Sequence, residues 1–353
     1  MRAGDGASAR SALIVAGGTG GHIFPALVFG RWLEAHCGAA VSYLSGSRPL
    51  EAEIYAAAGV TPFRLSLEGS PLGVRSPLKV LRRSLALVSA FGEVSRRLAE
   101  VRPTTAFLFG GYVSFAPLLL CRLRGIPVVF HEQNAVAGRV TRLASRLGAV
   151  IASGWEECQG LHGPHVLTGV PVRTPHRLPR AEAERRLGLS LKEGSRVVGV
   201  ISGSLGSAAL VREALRAADA LGGRAEPVEF VLLGDAPGEA DREGIHFVGR
   251  RWDVDPLYSL CDALICRAGA STLAEALRWG IPAAAVPWMQ AADGHQVRNA
   301  LSFAEAGGGV LWKEGDTLLL ADVIGDLLER GRAAAPADGD AASMAIARAA
   351  GLL

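Results

Sequence analysis

The chain contains no apolar run that approaches the ~18 residues a membrane-spanning helix needs. Its first apolar stretch, Ala12 to Ala16, is cut off by glycines and is shorter than the ~7–15-residue core of a secretory signal. No C-x-x-C pair occurs among Cys37, Cys121, Cys158, Cys261 and Cys266, and an odd count of five gives no disulfide framework. Cys261 and Cys266 lie in an apolar run and read as core thiols. Excess charge of one sign is also missing: 37 basic against 34 acidic residues leave a net +3, too weak to draw nucleic acid to the chain as a whole. The expectation is a protein kept in a reducing, cytoplasmic compartment, where it can still lie on a membrane surface.

What the chain does have is glycine and small apolar residues, 44 glycines among 353 positions with only 6% aromatics. That is the composition of a soluble α/β protein long enough for two cores. The densest glycine cluster follows the strand-like run Leu13-Ile14-Val15-Ala16: Gly17-Gly18-Thr19-Gly20-Gly21-His22, then Ile23-Phe24-Pro25. A buried strand, a glycine turn and a helix start expose backbone N–H groups at the positive end of a helix dipole. Such a junction is an anion site, with phosphate its usual occupant, or it is a tight turn and nothing more. Pro25 suits the first turn of a helix predicted over about Phe24 to His36.

The next strand, Ala40 to Leu44, runs into Ser45-Gly46-Ser47-Arg48. It lacks the acidic residue that a dinucleotide site places there, and the glycine cluster lacks the third glycine of G-x-G-x-x-G. Nicotinamide binding by this half is therefore not expected. Between Leu72 and Arg102, Leu78, Leu81, Leu85 and Val88 recur at helical spacing while Arg75, Lys79, Arg82 and Arg83 crowd the same turns. This reads as a basic amphipathic helix for an anionic bilayer, or as a surface helix with its stripe on the core.

Two more strand ends carry chemistry. Ala106 to Phe109 leads into Gly110-Gly111-Tyr112-Val113-Ser114, and Pro127 to Phe130 leads into His131-Glu132-Gln133-Asn134. Polar groups past the carboxyl end of a parallel strand mark a binding crevice, or are ordinary satisfied loop polars. After Val170-Pro171-Val172-Arg173 and a proline-rich linker to Pro179, the plan restarts. The strand Arg196 to Ser202 enters Gly203-Ser204-Leu205-Gly206-Ser207, so strand, glycine turn and helix head both halves. The strand Ala263 to Cys266 ends in Arg267-Ala268-Gly269-Ala270-Ser271-Thr272-Leu273-Ala274-Glu275. Thr272-x-x-Glu275 fits a capping box; alternatively the amides of Ser271 and Thr272 hold a diphosphate and Glu275 accepts ribose hydroxyls. A last polar turn, Asp293-Gly294-His295-Gln296, opens another helix after the strand Ile281 to Val286.

Four of these segments, in this order and spacing, resemble the MurG family of N-acetylglucosaminyltransferases: Gly17 to His22, Gly110 to Ser114, His131 to Asn134, and Arg267 to Glu275. The resemblance spans roughly residues 12 to 312. It implies an α/β protein of the GT-B glycosyltransferase fold, two Rossmann-like domains with parallel sheets facing an interdomain cleft. Residues 1–170 would form the acceptor- and membrane-facing domain, 171–337 the UDP-sugar domain, and a last helix at about 338–353 would pack back on the first.

The implied reaction is inverting transfer of N-acetylglucosamine from UDP-N-acetylglucosamine to the C4 hydroxyl of undecaprenyl-diphospho-N-acetylmuramoyl-pentapeptide. It takes place on the cytoplasmic side of an anionic membrane, with no cofactor, no metal and no nucleic acid. The donor contacts carried over are Thr19, Gly20, Gly21, Asn134, Arg173, Ser204, Ala270, Ser271, Thr272, Leu273, Ala274, Glu275, His295 and Gln296, with Arg251 for the uracil main-chain contact. The acceptor contacts are Gly110, Gly111, Tyr112 and Ser114. His22 is the expected base, kept neutral by the positive end of its helix, and Glu132 is its rival. The chain departs from the family at Phe115-Ala116, where Gly-Pro is common, and at Ser207 and Val211 after the second glycine turn.

Overall fold

The computed structural model describes residues 10–70, 76–203, 206–224, 226–234, 242–334 and 339–353. The expectations for Leu72, Arg75 and Ser204 fall outside those residues. In chain order the elements are β1 (Ser11–Val15), α1 (Gly20–Cys37), β2 (Ala40–Ser45), α2 (Pro49–Ala57), β3 (Phe63–Arg64), α3 (Pro77–Val101), β4 (Thr105–Leu108), α4 (Phe115–Leu123), β5 (Val128–Glu132), α5 (Arg139–Arg146), β6 (Val150–Ser153) and β7 (Val166–Leu167). There follow α6 (Arg180–Leu187), β8 (Arg196–Ile201), α7 (Ala208–Leu221), β9 (Val228–Leu233), β10 (Ile245–Phe247), α8 (Asp255–Leu260), β11 (Ala263–Arg267), α9 (Ala270–Trp279), β12 (Ala283–Val286), α10 (His295–Glu305), β13 (Gly309–Leu311), α11 (Leu320–Arg330) and α12 (Ala341–Ala349). The chain divides into two units, one running to Pro171 and including Asp340–Leu353, the other Val172–Gly339.

The first unit is a parallel sheet in the order β3-β2-β1-β4-β5-β6-β7. Its central strands are covered on both faces, which is why Leu13, Ile14 and Val15 can be consecutively apolar and fully buried. On one face α3 sends down Ala90, Val94 and Leu98 onto Leu13, Val15, Leu108 and Phe130. On the other, Phe29 of α1 meets Phe107 edge-on, ring centroids 4.7 Å apart. The buried Ile346 and Ala347 of α12 belong to this unit, where that helix packs on α1, β5 and β6. Arg10 ties the two ends of the unit by donating to the Leu352 carbonyl at 2.9 Å.

The second unit repeats the arrangement with the parallel order β10-β9-β8-β11-β12-β13. Val198, Val200, Phe230, Leu232 and Ile265 form its core with Leu210 of α7 and Ile324 of α11. In both sheets the strand order reverses beside the first strand, between β1 and β4 and between β8 and β11. That switch point is where an open parallel sheet leaves a crevice at its carboxyl edge.

Three local expectations need correction. Helix α1 begins at Gly20, not Phe24, because the N–H groups of His22 and Ile23 already bond to the Thr19 carbonyl at 3.1 and 3.3 Å. Pro25 is therefore the sixth helical residue, past the first turn. Thr272 is not a cap: α9 starts at Ala270 with Gly269 as N-cap, so Thr272 is its third residue and the capping box does not form. The stripe Leu78, Leu81, Leu85 and Val88 does not face the core either; these side chains are 76, 57, 63 and 71% exposed. Helix α3 instead buries the offset row Ala90, Val94 and Leu98 near its carboxyl end.

Candidate active site

In the first unit, β1, β4 and β5 are neighbours, so the three motifs that follow them stand side by side at one edge of the sheet. His22 is the third residue of α1 and half-buried. Its Nδ1 lies 3.0 Å from the Gly17 carbonyl oxygen, with Thr19 Oγ1 at 3.5 Å. A carbonyl oxygen only accepts, so Nδ1 carries a hydrogen, and in the neutral form of the ring the lone pair is on Nε2.

The glycine pair after β4 makes this approach possible. Gly111 has φ +80°, and a Cβ there would stand 2.3 Å from the Gly17 oxygen that anchors His22. Tyr112 follows in a 3-10 turn; Ser114 spends its hydroxyl on the Gly110 carbonyl at 2.8 Å, closing the turn.

Glu132 is 4% exposed. Its Oε1 accepts from Asn134 N at 3.1 Å and Asn134 Nδ2 at 2.9 Å, and its Oε2 from Gly138 N at 3.0 Å and Thr141 Oγ1 at 2.5 Å. With four donors already on the carboxylate, its evident work is to shape the loop that presents Asn134. His131 is fully enclosed: it donates from Nε2 to the Gly169 carbonyl at 2.9 Å and accepts at Nδ1 from Gln133 Nε2 at 3.0 Å. Burial pulls its pKa down to about 4, which keeps the ring neutral.

Sequence reasoning missed Glu51. It is fully buried in the first turn of α2, and its Oε1 accepts from Gly18 N at 2.7 Å and from the Tyr112 hydroxyl at 2.7 Å. The first glycine turn thus carries an internal anion on its Gly18 amide, the group expected to be open to phosphate. The only local signal was the acidic residue in the first turn of a helix beginning Pro49-Leu50.

The second unit shows the opposite electrostatics. The motifs after β8, β11 and β12 are again adjacent, and the N-cap Gly269 supplies no side chain to the first turn of α9. No acidic residue occupies that turn, and its first helical bond is Leu273 N to the Gly269 carbonyl at 3.1 Å. The amides of Ala270, Ser271 and Thr272 therefore form the positive end of the helix, suited to a diphosphate.

Glu275, one turn further on, accepts from the Tyr258 hydroxyl at 2.9 Å. Burial pushes its carboxyl above the usual range, and the Arg173 guanidinium nearby pulls it part of the way back. Arg173 and Glu275, far apart in sequence, are thus brought together. Burial also raises Asp255, which likewise feels Arg173.

Arg267, 8% exposed, cross-links the turns. It donates to Ser207 Oγ at 2.6 Å and Glu314 Oε1 at 2.7 Å, and Ser207 in turn caps α7 at Leu210 N, 3.3 Å. After β12, Asp293 holds φ +55°, a conformation costly for a non-glycine residue, just before α10 opens with His295 and Gln296. Gln296 Oε1 accepts from Trp288 N at 2.7 Å. Arg251, the candidate for uracil, donates to the Val248 and Arg186 carbonyls, both at 3.0 Å. Thr19, Gly20 and Gly21 are the N-cap and first two residues of α1; Leu273 and Ala274 continue α9 after Thr272.

Two parallel Rossmann-like sheets, one with His22 at its switch point and the other with a helix that starts from the side-chain-free Gly269 at its own, make up the GT-B fold of nucleotide-sugar glycosyltransferases. The chain belongs to glycosyltransferase family 28. Residues 12–152 match the family's N-terminal domain and residues 197–351 its C-terminal domain. It is 35% identical over 306 residues to the UDP-N-acetylglucosamine–N-acetylmuramyl-(pentapeptide) pyrophosphoryl-undecaprenol N-acetylglucosamine transferase of Ectopseudomonas mendocina (strain ymp), covering 85% of this chain and 83% of that protein. The crystal structure of Acinetobacter baumannii MurG superposes with a TM-score of 0.64 at 25% identity, over 96% of this chain and 94% of that one. A UDP-GlcNAc 2-epimerase from Neisseria meningitidis, bound to UDP-GlcNAc, shares the fold at 13% identity, with a TM-score of 0.64 over 96% of this chain and 98% of that one.

Proposed function

We propose that the enzyme transfers N-acetylglucosamine from UDP-N-acetylglucosamine to the C4 hydroxyl of undecaprenyl-diphospho-N-acetylmuramoyl-pentapeptide, with inversion to a β-1,4 bond. Family membership and the relatives' named activity support the substrates. The observation that carries the chemistry is His22, whose Nδ1–H is committed to the Gly17 carbonyl at 3.0 Å. In a single displacement, the C4 oxygen attacks the anomeric carbon while Nε2 takes the hydroxyl proton. The bond from that carbon to the UDP oxygen breaks, and UDP departs with the electron pair. The growing charge on the diphosphate is met by the amides at the start of α9, by Arg173 and by Ser204.

Asn134, His295 and Gln296 hold the donor sugar, Glu275 the ribose hydroxyls, and the Gly110-to-Tyr112 turn the acceptor. Transfer of radiolabel from UDP-N-acetylglucosamine to the lipid acceptor tests this reading. Label appearing in an epimerised donor sugar, with no acceptor present, would overturn it in favour of an epimerase.

The reaction takes place on the anionic inner surface of the membrane. The exposed row Leu78, Leu81, Leu85 and Val88, flanked by Lys79, Arg82 and Arg83, supports this, as does Leu123 at the end of α4, 81% exposed. Among the described residues no helix is long and apolar enough to cross a membrane. Three basic residues near lipid headgroups contribute about 3 kcal/mol, and the leucines add to that by insertion.

A further inference from the structure

The buried carboxylate of Glu51 and the ring of His22 are joined by one peptide group. The Gly17 carbonyl accepts from His22 Nδ1 at 3.0 Å, and the N–H of that same peptide unit, on Gly18, donates to Glu51 Oε1 at 2.7 Å. We propose that Glu51 is a positioning residue for the transfer reaction, acting on His22 through the Gly17–Gly18 peptide. This rests on the reading of His22 as the base.

A peptide held by an anion at its N–H is polarised, because hydrogen bonds in series strengthen one another in a low-dielectric interior. The Gly17 oxygen becomes a stronger acceptor. It holds the Nδ1–H tautomer more firmly and stabilises the imidazolium that forms when Nε2 takes a proton. The arrangement has the logic of a histidine oriented by a carboxylate, with a backbone amide inserted between the two.

The surroundings make the carboxylate an effective source of charge. Glu51 is fully buried, and its Oε2 has no hydrogen-bond partner among the described residues. Two donors compete at Oε1: Gly18 N, and the Tyr112 hydroxyl, which also stands 3.0 Å from the Leu67 carbonyl.

The other groups facing this pocket come from several elements. Arg48, before α2, stacks over the Tyr112 ring at 4.7 Å and reaches the Gly18 carbonyl at 3.4 Å; its cation acts against protonation of His22. Glu68 lies near Tyr112. From the end of β5 come Glu132, bound by its four donors, and neutral His131 with Gln133; from α1 comes Thr19. Thr19 Oγ1 stands directly at Nδ1, 3.5 Å away, and of the charged groups named here Glu51 connects to the imidazole through a continuous hydrogen-bonded path.

The test is the titration of His22, followed by imidazole NMR on the full chain, beside the pH profile of kcat/KM. Glu51→Gln keeps an acceptor oxygen but removes the charge. It should lower the His22 pKa and the acid limb of the profile together by about half to one pH unit and cut kcat about tenfold, with UDP affinity unchanged. Tyr112→Phe removes the competing donor and concentrates the charge on Gly18 N–H, so it should move the His22 titration upward.

A purely structural Glu51 would lower the melting temperature and leave the titration in place, which overturns the proposal. If Glu51→Gln does not fold, Tyr112→Phe decides alone, and an unmoved or lowered titration overturns it. Full kcat in His22→Ala would remove the base reading instead. That result is separate, because the NMR titration of His22 reports on Glu51 whether or not His22 takes the proton.

Discussion

At the scale of single residues, the chemistry turns on which groups remain available after the fold has claimed its own hydrogen bonds. His22 and Glu132 both stand at the same sheet edge, but Glu132 is enclosed by four donors, whereas His22 is anchored through Nδ1 to the Gly17 carbonyl. His22→Ala is expected to lose about 10²–10⁴-fold in kcat while binding UDP as before, measured by lipid-acceptor transfer and calorimetry. Glu132→Gln should instead loosen the loop that carries Asn134, raising KM for the donor more than it lowers kcat.

Arg173→Ala removes the cation near Glu275 that is proposed to meet the diphosphate charge. It should cost about 10²–10³-fold in kcat, the range seen when one stabilising donor is lost, and weaken UDP binding. Unaltered donor affinity and rate would remove Arg173 from that role.

His131 makes a prediction in pH. Its folded-state pKa, lowered to about 4 by burial, lies below the ordinary value near 6.5, so between those values the unfolded chain binds the extra proton. Stability should therefore fall as pH drops from about 6.5 towards 4, by up to about 3 kcal/mol. Denaturant unfolding across this window should show the slope, and His131→Gln should flatten it.

At the scale of elements, the two switch points differ in what occupies them. Both sheets end in glycine turns that enter helices, and from sequence both turns look like phosphate sites. Glu51 fills one amide of the first, whereas α9 in the second begins with a cap that has no side chain and a first turn without acid. The structure thus supports a diphosphate on α9, and a crystal soaked with UDP-sugar should show the nucleotide there.

Helix α3 was legible as a helix, since its apolar residues recur at helical spacing. Which row of them faced the core was not, because an amphipathic helix with apolar residues on more than one face is settled by the partner surface. Here α3 packs by Ala90, Val94 and Leu98, with Ala86, Leu87 and Phe91 beside them, and leaves the Leu78 row outside. The positions of Pro25 and Thr272 were misjudged for a related reason. A helix can start earlier than its best sequence signal when the amides just after a glycine pair find a carbonyl, as those of His22 and Ile23 do at Thr19.

At the scale of the whole molecule, the exposed row on α3 and His22 belong to one unit, the unit proposed to take the lipid-linked acceptor and to meet the lipid surface. Leu81→Glu with Leu85→Glu should abolish co-sedimentation with vesicles containing phosphatidylglycerol. Transfer to a detergent-solubilised acceptor should survive, because neither side chain touches the sheet edge. Retained vesicle binding in that variant would remove α3 from the membrane contact.

The sequence by itself determined the parallel α/β plan, the two glycine-headed halves and the identity of the chemical groups at the strand ends. These follow from short-range rules: apolar runs bury as central strands, and glycine turns open helices. Only the tertiary structure decided which groups are already spoken for. Gly18 meets Glu51 across 33 residues, Glu132 gathers donors from its whole loop, and Arg173 comes to face Glu275. Hydrogen-bond closure and burial are set by neighbours in space, and no local pattern carries them.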